Sequence, residues 1–410
     1  MKIGLLGLGT VGTGVFRIVN AKSAFWQKKF GEKIEIVSIL VKNKNKKRDV
    51  DLNGLHLTEN AHEIIENKEI DTVIELIGGL DEAYEYIIKS IENGKNVITG
   101  NKAVVSKYFL EIIEKVKDNS IFFGYEASVC GGIPIIKTIN QIKDINEISS
   151  IKGIMNGTTN FILDKMVKEK MEYDLALKLA QEIGYAEADP TADVDGYDAQ
   201  RKLSILCSIA YDLHLKPEEI NCRGIRNITS IDVSAARHMG YIPKLFAHAA
   251  RKENCFNACV EPVLIDRNDV FASVPGAKNM VAINGNYIGE LQLDGEGAGM
   301  FPTANAVVSD LLDLINTNKS LYPEFSGNGI KFTGIEGNVN RYYIRITPDS
   351  DEEIKQILGR MEEDNVNCKV YKDHKDLIMV SEKTEQKRII EYIEEINSKG
   401  WTNCFIKILD

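Results

Sequence analysis

The chain is predicted to be an α/β protein, with a doubly wound parallel sheet, an α+β domain after it and a smaller βαββαβ unit at the C-terminus. Three observations predict this. A G-x-G-x-x-G loop, Gly7 to Gly12, follows the first apolar run directly. Short apolar runs then alternate with amphipathic stretches up to about residue 125, as parallel strands and crossover helices do. A separate alternation with more charged residues begins near Arg341. At 410 residues, more than one hydrophobic core is expected.

The first alternation gives strands at Ile3–Leu6, Ile34–Val41, Thr72–Ile77, Asn96–Thr99 and Ile121–Tyr125. Helices fall at Glu82–Glu92, stopped by Asn93 and Gly94, and at Lys107–Lys117. Residues 1–130 are thus expected to form the nucleotide-binding domain, with a return segment near 295–320 that includes helix Thr303–Leu314. Residues 131–325 read as the α+β domain, with helices Thr159–Lys168, Tyr173–Glu182 and Asp198–Tyr211. Its strands are expected at Cys259–Ile265, Val281–Asn284 and Gly289–Leu293. Beyond the Gly/Asn-rich stretch Ser326–Asn340, residues 341–410 give strand Tyr342–Ile346, helix Glu352–Glu363 and strands Val366–Tyr371 and Leu377–Val380. Helix Glu385–Ser398 and strand Asn403–Leu409 complete a ferredoxin-like order.

Sixty acidic against fifty basic side chains, a formal charge of −10, disfavour a broad phosphate-binding surface, so no nucleic-acid partner is expected. No apolar run approaches the roughly 20 residues that span a bilayer. Because the first strand begins at once, with no room for a separate leader, a cytoplasmic protein is expected. Seven cysteines without C-x-x-C spacing suggest neither a disulfide framework nor structural zinc. Cys255 and Cys259, four apart, would share a helix face and read as buried thiols.

In the glycine loop, Gly7 permits the tight turn, Gly9 lets a pyrophosphate approach the backbone and Gly12 lets helix and strand pack closely. Thr10 and Val11 open the helix whose N-terminal N–H groups face the anion. This context defines a Rossmann-type site for NAD(P). An NAD-selective site carries a carboxylate at the end of its second strand, but here Lys42 stands there, followed by Lys44, Lys46, Lys47 and Arg48. These cations suit the 2′-phosphate of NADP, with NAD as the other possibility. The alternative is a solvated lysine-rich turn.

Glu187 to Asp198 holds five carboxylates in twelve positions. Placing Gly196 at the sixth position of a calcium loop leaves Thr191 first and Lys202 twelfth, where carboxylates are required, so an ammonium-bearing ligand fits better. Asp198 and Lys202 share a helix face, as an ordinary surface ion pair also would.

The segment Tyr185-Ala-Glu-Ala-Asp-Pro-Thr-Ala-Asp-Val-Asp-Gly-Tyr-Asp-Ala-Gln-Arg-Lys202 resembles the signature of homoserine dehydrogenases. Gly153-Ile-Met-Asn-Gly-Thr-Thr-Asn-Phe-Ile-Leu163, Thr99-Gly-Asn-Lys102 and Glu126-Ala-Ser-Val-Cys-Gly-Gly-Ile-Pro134 are similar to further motifs of that family, and the likeness covers most of residues 1–325. The resemblance implies reversible reduction of L-aspartate 4-semialdehyde to L-homoserine. It implies that Glu187 and Asp198 hold the substrate's ammonium, that Lys202 exchanges the proton and that Lys102 assists beside the nicotinamide. Thr99, Gly184 and Gly297 would be cofactor contacts. A monovalent cation, sodium in the family, would sit on backbone carbonyls of Glu126, Val129, Gly131 and Ile133. The family also implies a homodimer or homotetramer and an ACT-like regulatory or assembly role for residues 341–410. The first turn of that unit, Thr347 to Glu353, lacks the glycine that lets backbone approach an amino-acid ligand, so weak or lost threonine sensing is expected. Another NAD(P)-dependent amino-acid dehydrogenase and a non-catalytic amino-acid sensor are the competing readings.

Overall fold

A computed structural model describes residues 1–317, 320–325, 330–334, 339–348, 350–364, 366–373, 375–401 and 403–409. Asp349 of the expected turn, and residues 326–329 and 335–338 of the Gly/Asn-rich stretch, lie outside these. The described chain divides into two compact units, one built from Met1–Ile148, Arg201–Pro217 and Asn284–Asn328, the other from Ser149–Gln200, Glu218–Ile283 and Gly329–Asp410.

The first unit runs β1 (Lys2–Leu6), α1 (Thr10–Phe30), β2 (Glu35–Leu40), β3 (His56–Thr58), α2 (His62–Ile65) and β4 (Thr72–Glu75). It continues with α3 (Asp81–Glu92), β5 (Asn96–Thr99), α4 (Lys102–Asn119), β6 (Phe123–Gly124) and α5 (Ile135–Ile142). Its sheet has the order β3-β2-β1-β4-β5-β6, and the neighbours pair in parallel. Helices cover such a sheet on both faces, so β4 is buried along its whole length, the apolar Val73 and Ile74 lying between the buried polar ends Thr72 and Glu75. Ile3, Leu5, Val15 and Val19 share one core with Ala304, Val307 and Leu311 of the returning helix. Each of the Val, Leu and Ile side chains contributes roughly 1.5–3 kcal/mol by leaving water. The strand expected to run to Ile77 stops at Glu75, because the Glu75 carboxylate turns back to accept the Ile77 N–H at 2.8 Å. The helix expected from Lys107 begins at Lys102, because Asn101 caps it by accepting from the Val104 N–H.

Next come β7 (Ile148–Ile154), α6 (Gly157–Glu169), α7 (Tyr173–Glu182), α8 (Thr191–Val194) and α9 (Tyr197–Tyr211), which passes from the second unit into the first. They are followed by β8 (Asn221–Cys222), α10 (Ser230–His238), β9 (Tyr241–Lys252), β10 (Cys255–Asp266) and β11 (Lys278–Gly285). Strand β12 (Gly289–Glu296) and α11 (Met300–Thr317) belong to the first unit. The C-terminal part holds β13 (Lys331–Phe332), β14 (Val339–Ile346), α12 (Asp351–Glu363), β15 (Cys368–Asp373), β16 (Asp376–Ser381), β17 (Thr384–Glu385), α13 (Gln386–Ser398) and β18 (Asn403–Leu409).

The second unit's main sheet runs β11-β7-β9-β10-β18-β14-β16-β15. Strands β9 and β10 form a long antiparallel hairpin, and β18 joins β10 in parallel from Val263 opposite Lys407. Within β18-β14-β16-β15 the neighbours are antiparallel, the arrangement of a βαββαβ ferredoxin-like unit. Helices α12 and α13 place Ile357, Met361, Ile389 and Ile393 on a core shared with Tyr342 and Ile344. Cys255 and Cys259 lie on a strand, not on a helix. Cys255 is exposed at the hairpin turn, and of the two Cys259 alone is a buried thiol. The pairing with β9 that settles this is invisible in i,i+4 spacing. Among the described residues no helix is long and apolar enough to cross a membrane.

Arg345 of β14 and Asp232 of α10 form an ion pair at 2.7 Å, with side chains 3% and 0% exposed. The Tyr343 hydroxyl also donates to Asp232, at 2.9 Å. The same carboxylate accepts the Thr229 N–H at the start of α10. Replacing Arg345 with Met removes the cation and leaves the carboxylate buried, which costs about 3–5 kcal/mol. Urea unfolding of Arg345→Met measures this, and a loss below about 1 kcal/mol contradicts it.

Candidate functional site

The glycine loop divides its labour by available space. A Cβ on Gly7 would stand 2.7 Å from the Leu76 carbonyl oxygen, and one on Gly12 would stand 2.1 Å from that of Gly7. A Cβ on Gly9 would meet nothing within 4 Å. Gly7 and Gly12 therefore serve close packing, while Gly9 faces open space. No side chain of Gly9 caps α1, and its first turn, from Thr10 and Val11, has no acidic residue, which leaves the helix terminus to an anion. A cavity of about 340 Å³ opens beside the loop, lined by Gly7, Gly9, Lys42, Lys46, Arg48 and Glu59 among others. The Arg48 guanidinium is fixed by donating to the carbonyls of Asn43 and Lys46, each at 2.8 Å. Glu59 accepts the Lys44 N–H at 2.8 Å, so a carboxylate the sequence reading passed over also lines this basic turn. Room at Gly9, an unanswered helix N-terminus and three cations fit a phosphorylated dinucleotide.

At the ends of β4 and β5, Glu75 lies opposite Thr99. The Thr99 hydroxyl donates to Glu75 at 2.6 Å and accepts the Asn101 N–H at 2.9 Å. Burial pushes the Glu75 carboxyl above its ordinary range. Asn101 donates to the Gly79 carbonyl at 2.9 Å. Together these bonds set the start of α4, where Lys102 is the first, half-buried residue. Glu75 and Asn101 were not singled out from sequence, since their partners lie some twenty residues away along the chain.

The Glu126 carboxylate accepts from the N–H groups of Ile136 and Lys137 at 3.0 and 2.9 Å and so caps α5. Burial and then the neighbouring Asp310 push it up to about 8, and burial raises Asp310 to about 6 despite Lys137. Cys130 and Gly131 both have positive φ. A Cβ on Gly131 would lie 2.6 Å from the Gly297 carbonyl oxygen, so only glycine allows these backbones to approach. The Glu126 carbonyl accepts from Val129 at 3.4 Å and that of Ile133 from Ile135 at 2.8 Å. Among the described residues, no hydrogen bond is donated to the carbonyls of Val129 or Gly131, although both residues are buried. Two buried acceptors without a donor suit a small cation.

In the second unit the five carboxylates of the acidic loop have separate employments. Asp189 accepts the Thr191 N–H at 3.1 Å, and Asp195 pairs with Arg226. Asp193 and Asp198 both accept from the side-chain amide of Asn156, at 2.7 and 2.9 Å. Glu187 is exposed, as is Gly184, whose φ is +81°. The Glu187 carbonyl is held by Gln181 at 3.1 Å. Asp198 and Lys202 sit one turn apart on α9 and are 3% and 8% exposed. The surface-pair alternative is therefore set aside. From sequence Asn156 was only a member of the motif Gly153 to Leu163; its capping of α6 and its reach to two carboxylates some forty residues away were not legible.

A parallel sheet in this order, with a glycine loop open at its second glycine and a basic turn after the second strand, defines a nicotinamide-dinucleotide-dependent oxidoreductase. The family model "Homoserine dehydrogenase, NAD binding domain" matches residues 7–126 and the model "Homoserine dehydrogenase" matches 134–312. A homoserine dehydrogenase of Pseudomonas aeruginosa is 36% identical over 403 residues, covering 96% of this chain and 91% of that protein. The crystal structure of a homoserine dehydrogenase from Thiobacillus denitrificans superposes with a TM-score of 0.90 at 34% identity, over 100% of this chain and 98% of that one. A hyperthermophilic archaeal homoserine dehydrogenase in complex with NADPH gives a TM-score of 0.65 at 26% identity, over 76% of this chain and 96% of that one. The chain belongs to the homoserine dehydrogenase family, whose members interconvert L-aspartate 4-semialdehyde and L-homoserine with a nicotinamide cofactor.

The spaces around the glycines make a paired prediction. Gly9→Ala keeps the melting temperature of the parent protein yet weakens NADPH and NADH binding at least about tenfold, because its methyl fills the room left for phosphate. Gly12→Ala instead loses stability by about 1–3 kcal/mol through overpacking. Thermal unfolding with cofactor titration checks both, and unchanged binding by Gly9→Ala contradicts the assignment.

Proposed function

We propose that Lys202 exchanges the proton with the reacting oxygen of homoserine or aspartate semialdehyde, that Asp198 and Glu187 hold the substrate's ammonium, and that NADP(H) is the preferred cofactor. The observation that carries this reading is the burial of Asp198 and Lys202 on successive turns of α9. Opposite charges one turn apart match a substrate that carries an ammonium at one end and a developing alkoxide at the other. A cation at that oxygen stabilises charge present mainly in the transition state, where a single such group is worth about 10²–10³ in rate. In the oxidation direction Lys202 must accept a proton, and a second ammonium nearby, for which Lys102 is the candidate, favours its neutral form.

Gly7, Gly9, Thr10, Val11 and Gly12 would hold the pyrophosphate, and Lys42, with Lys46 and Arg48, the 2′-phosphate; when bound, the cofactor supplies or accepts the hydride. Thr99, Lys102, Gly184 and Gly297 are proposed as its further contacts. The carbonyls of Glu126, Val129, Gly131 and Ile133 would take a monovalent cation, sodium by family likeness, which would brace this loop. The same likeness supports a nucleotide domain at 1–130, a catalytic domain at 131–325 and an ACT-like role for 341–410. It also supports a homodimer or homotetramer working in the cytoplasm, as part of threonine, methionine and isoleucine biosynthesis.

Lys202→Ala lowers turnover about 10²–10³-fold with little change in cofactor affinity. Asp198→Ala and Glu187→Ala raise the Michaelis constant for homoserine. Steady-state kinetics in both directions measures these effects, and near-parental turnover by Lys202→Ala removes the lysine from the mechanism. Lys42→Ala lowers kcat/KM for NADPH and spares NADH. Equal effects on the two cofactors would mean that the basic turn does not read the 2′-phosphate.

A further inference from the structure

One side-chain amide in the second unit governs two carboxylates. Asn156 is 3% exposed, and its Nδ2 donates to Asp193 at 2.7 Å and to Asp198 at 2.9 Å, so both of its protons are committed. Its Oδ1 accepts from the Thr159 N–H at 2.8 Å and from the Thr159 hydroxyl at 2.9 Å. The backbone N–H, which can only donate, decides which way the amide faces: the oxygen must point into the first turn of α6 and the nitrogen at the carboxylates.

The mount of this amide is itself fixed. One turn along α6, Asn160 donates to the Gly276 carbonyl at 2.8 Å and accepts from the buried ammonium of Lys244 at 2.7 Å. Lys244 also donates to the Val274 carbonyl at 2.9 Å. The end of α6 is thus tied to the strand-connecting segment 274–276 from within the core.

Two carboxylates bonded to one nitrogen lie close enough to repel, and the shared amide offsets that repulsion while dictating which oxygen of Asp198 it occupies. We propose that Asn156 is a positioning residue of the substrate site: it orients the buried Asp198 carboxylate toward the substrate's ammonium. This rests on the reading that Asp198 receives that group. Asn156 does not touch the reacting atoms; it sets the affinity for homoserine through Asp198.

The test separates this role from helix capping. Asp caps a helix as well as Asn does, so Asn156→Asp retains the bond from Thr159 but presents an anion to both carboxylates. The expected result is a Michaelis constant for homoserine raised at least tenfold, an unchanged Michaelis constant for NADP and a smaller change in kcat, with a melting temperature lowered by the third buried carboxylate but still above the assay temperature. Asn156→Ser, whose hydroxyl caps but does not span both carboxylates, should behave alike and serves if the Asp variant folds poorly. A homoserine constant within twofold of the parent's in a folded variant of either kind overturns the inference. Asp198→Ala is measured beside them. If it raises the homoserine constant while the Asn156 variants do not, only the positioning role fails; if it does not raise it, the ammonium reading fails and this inference with it.

Discussion

A carboxylate buried as deeply as that of Asp198 destabilises the fold unless donors answer it, and this requirement runs through the second unit. Asn156 supplies one donor, Thr159 fixes Asn156, and Asn160 with Lys244 anchors the helix that carries both. The neighbouring charge at Lys202 is also buried, so α9 carries an anion and a cation away from water on adjacent turns. A protein concerned only with stability would gain by placing apolar groups there. Under the proposed function that cost is borne for the substrate, Asp198 serving its ammonium and Lys202 its reacting oxygen.

The first unit is organised by the opposite means, through missing atoms. Gly9 keeps open space beside a helix terminus, and Gly131 lets its loop meet the Gly297 backbone. Glu126 and Asp310, pushed up to about 8 and about 6, share a buried corner that Lys137 enters with an ammonium 3.4 Å from Asp310. The C-terminal strands are part of the second unit's own sheet. Lys407 of β18 lies 3.6 Å from the buried Glu261 of β10, whose carboxyl stays below its ordinary range because Arg223 and Lys407 outweigh burial. Removing those strands would therefore strip a cation from a buried anion.

Much of this was legible in the sequence where the signal is local. The glycine loop, α7 and β18 were readable because periodicity, turn residues and helix stops act within a few positions. Strand β9 and helix α10 were not singled out: β9 alternates weakly, as expected of a strand covered on both faces, and its partner is set by the hairpin. Asp198 and Lys202 stood out by spacing and resemblance. Asn156, Glu75 and Asn101 did not, because each is defined by a partner that only the folded chain brings near. The acidic loop shows the same limit: Asp189, Asp193 and Asp195 look equivalent in sequence, and only the fold assigns Asp195 to Arg226 and Asp189 to a turn.

The central claim is that a buried carboxylate selects the substrate by its ammonium, and it is tested most directly by a substrate without one. The measurement is the ratio of kcat/KM for L-homoserine to that for 4-hydroxybutyrate, which keeps the reacting alcohol and the carboxylate. A site built around a buried polar partner rejects the analogue that lacks it by about 10⁴ or more. The account predicts a ratio of that order in the parent protein and its collapse in Asp198→Ala. A ratio within about tenfold of unity, or one that survives the substitution, would contradict it.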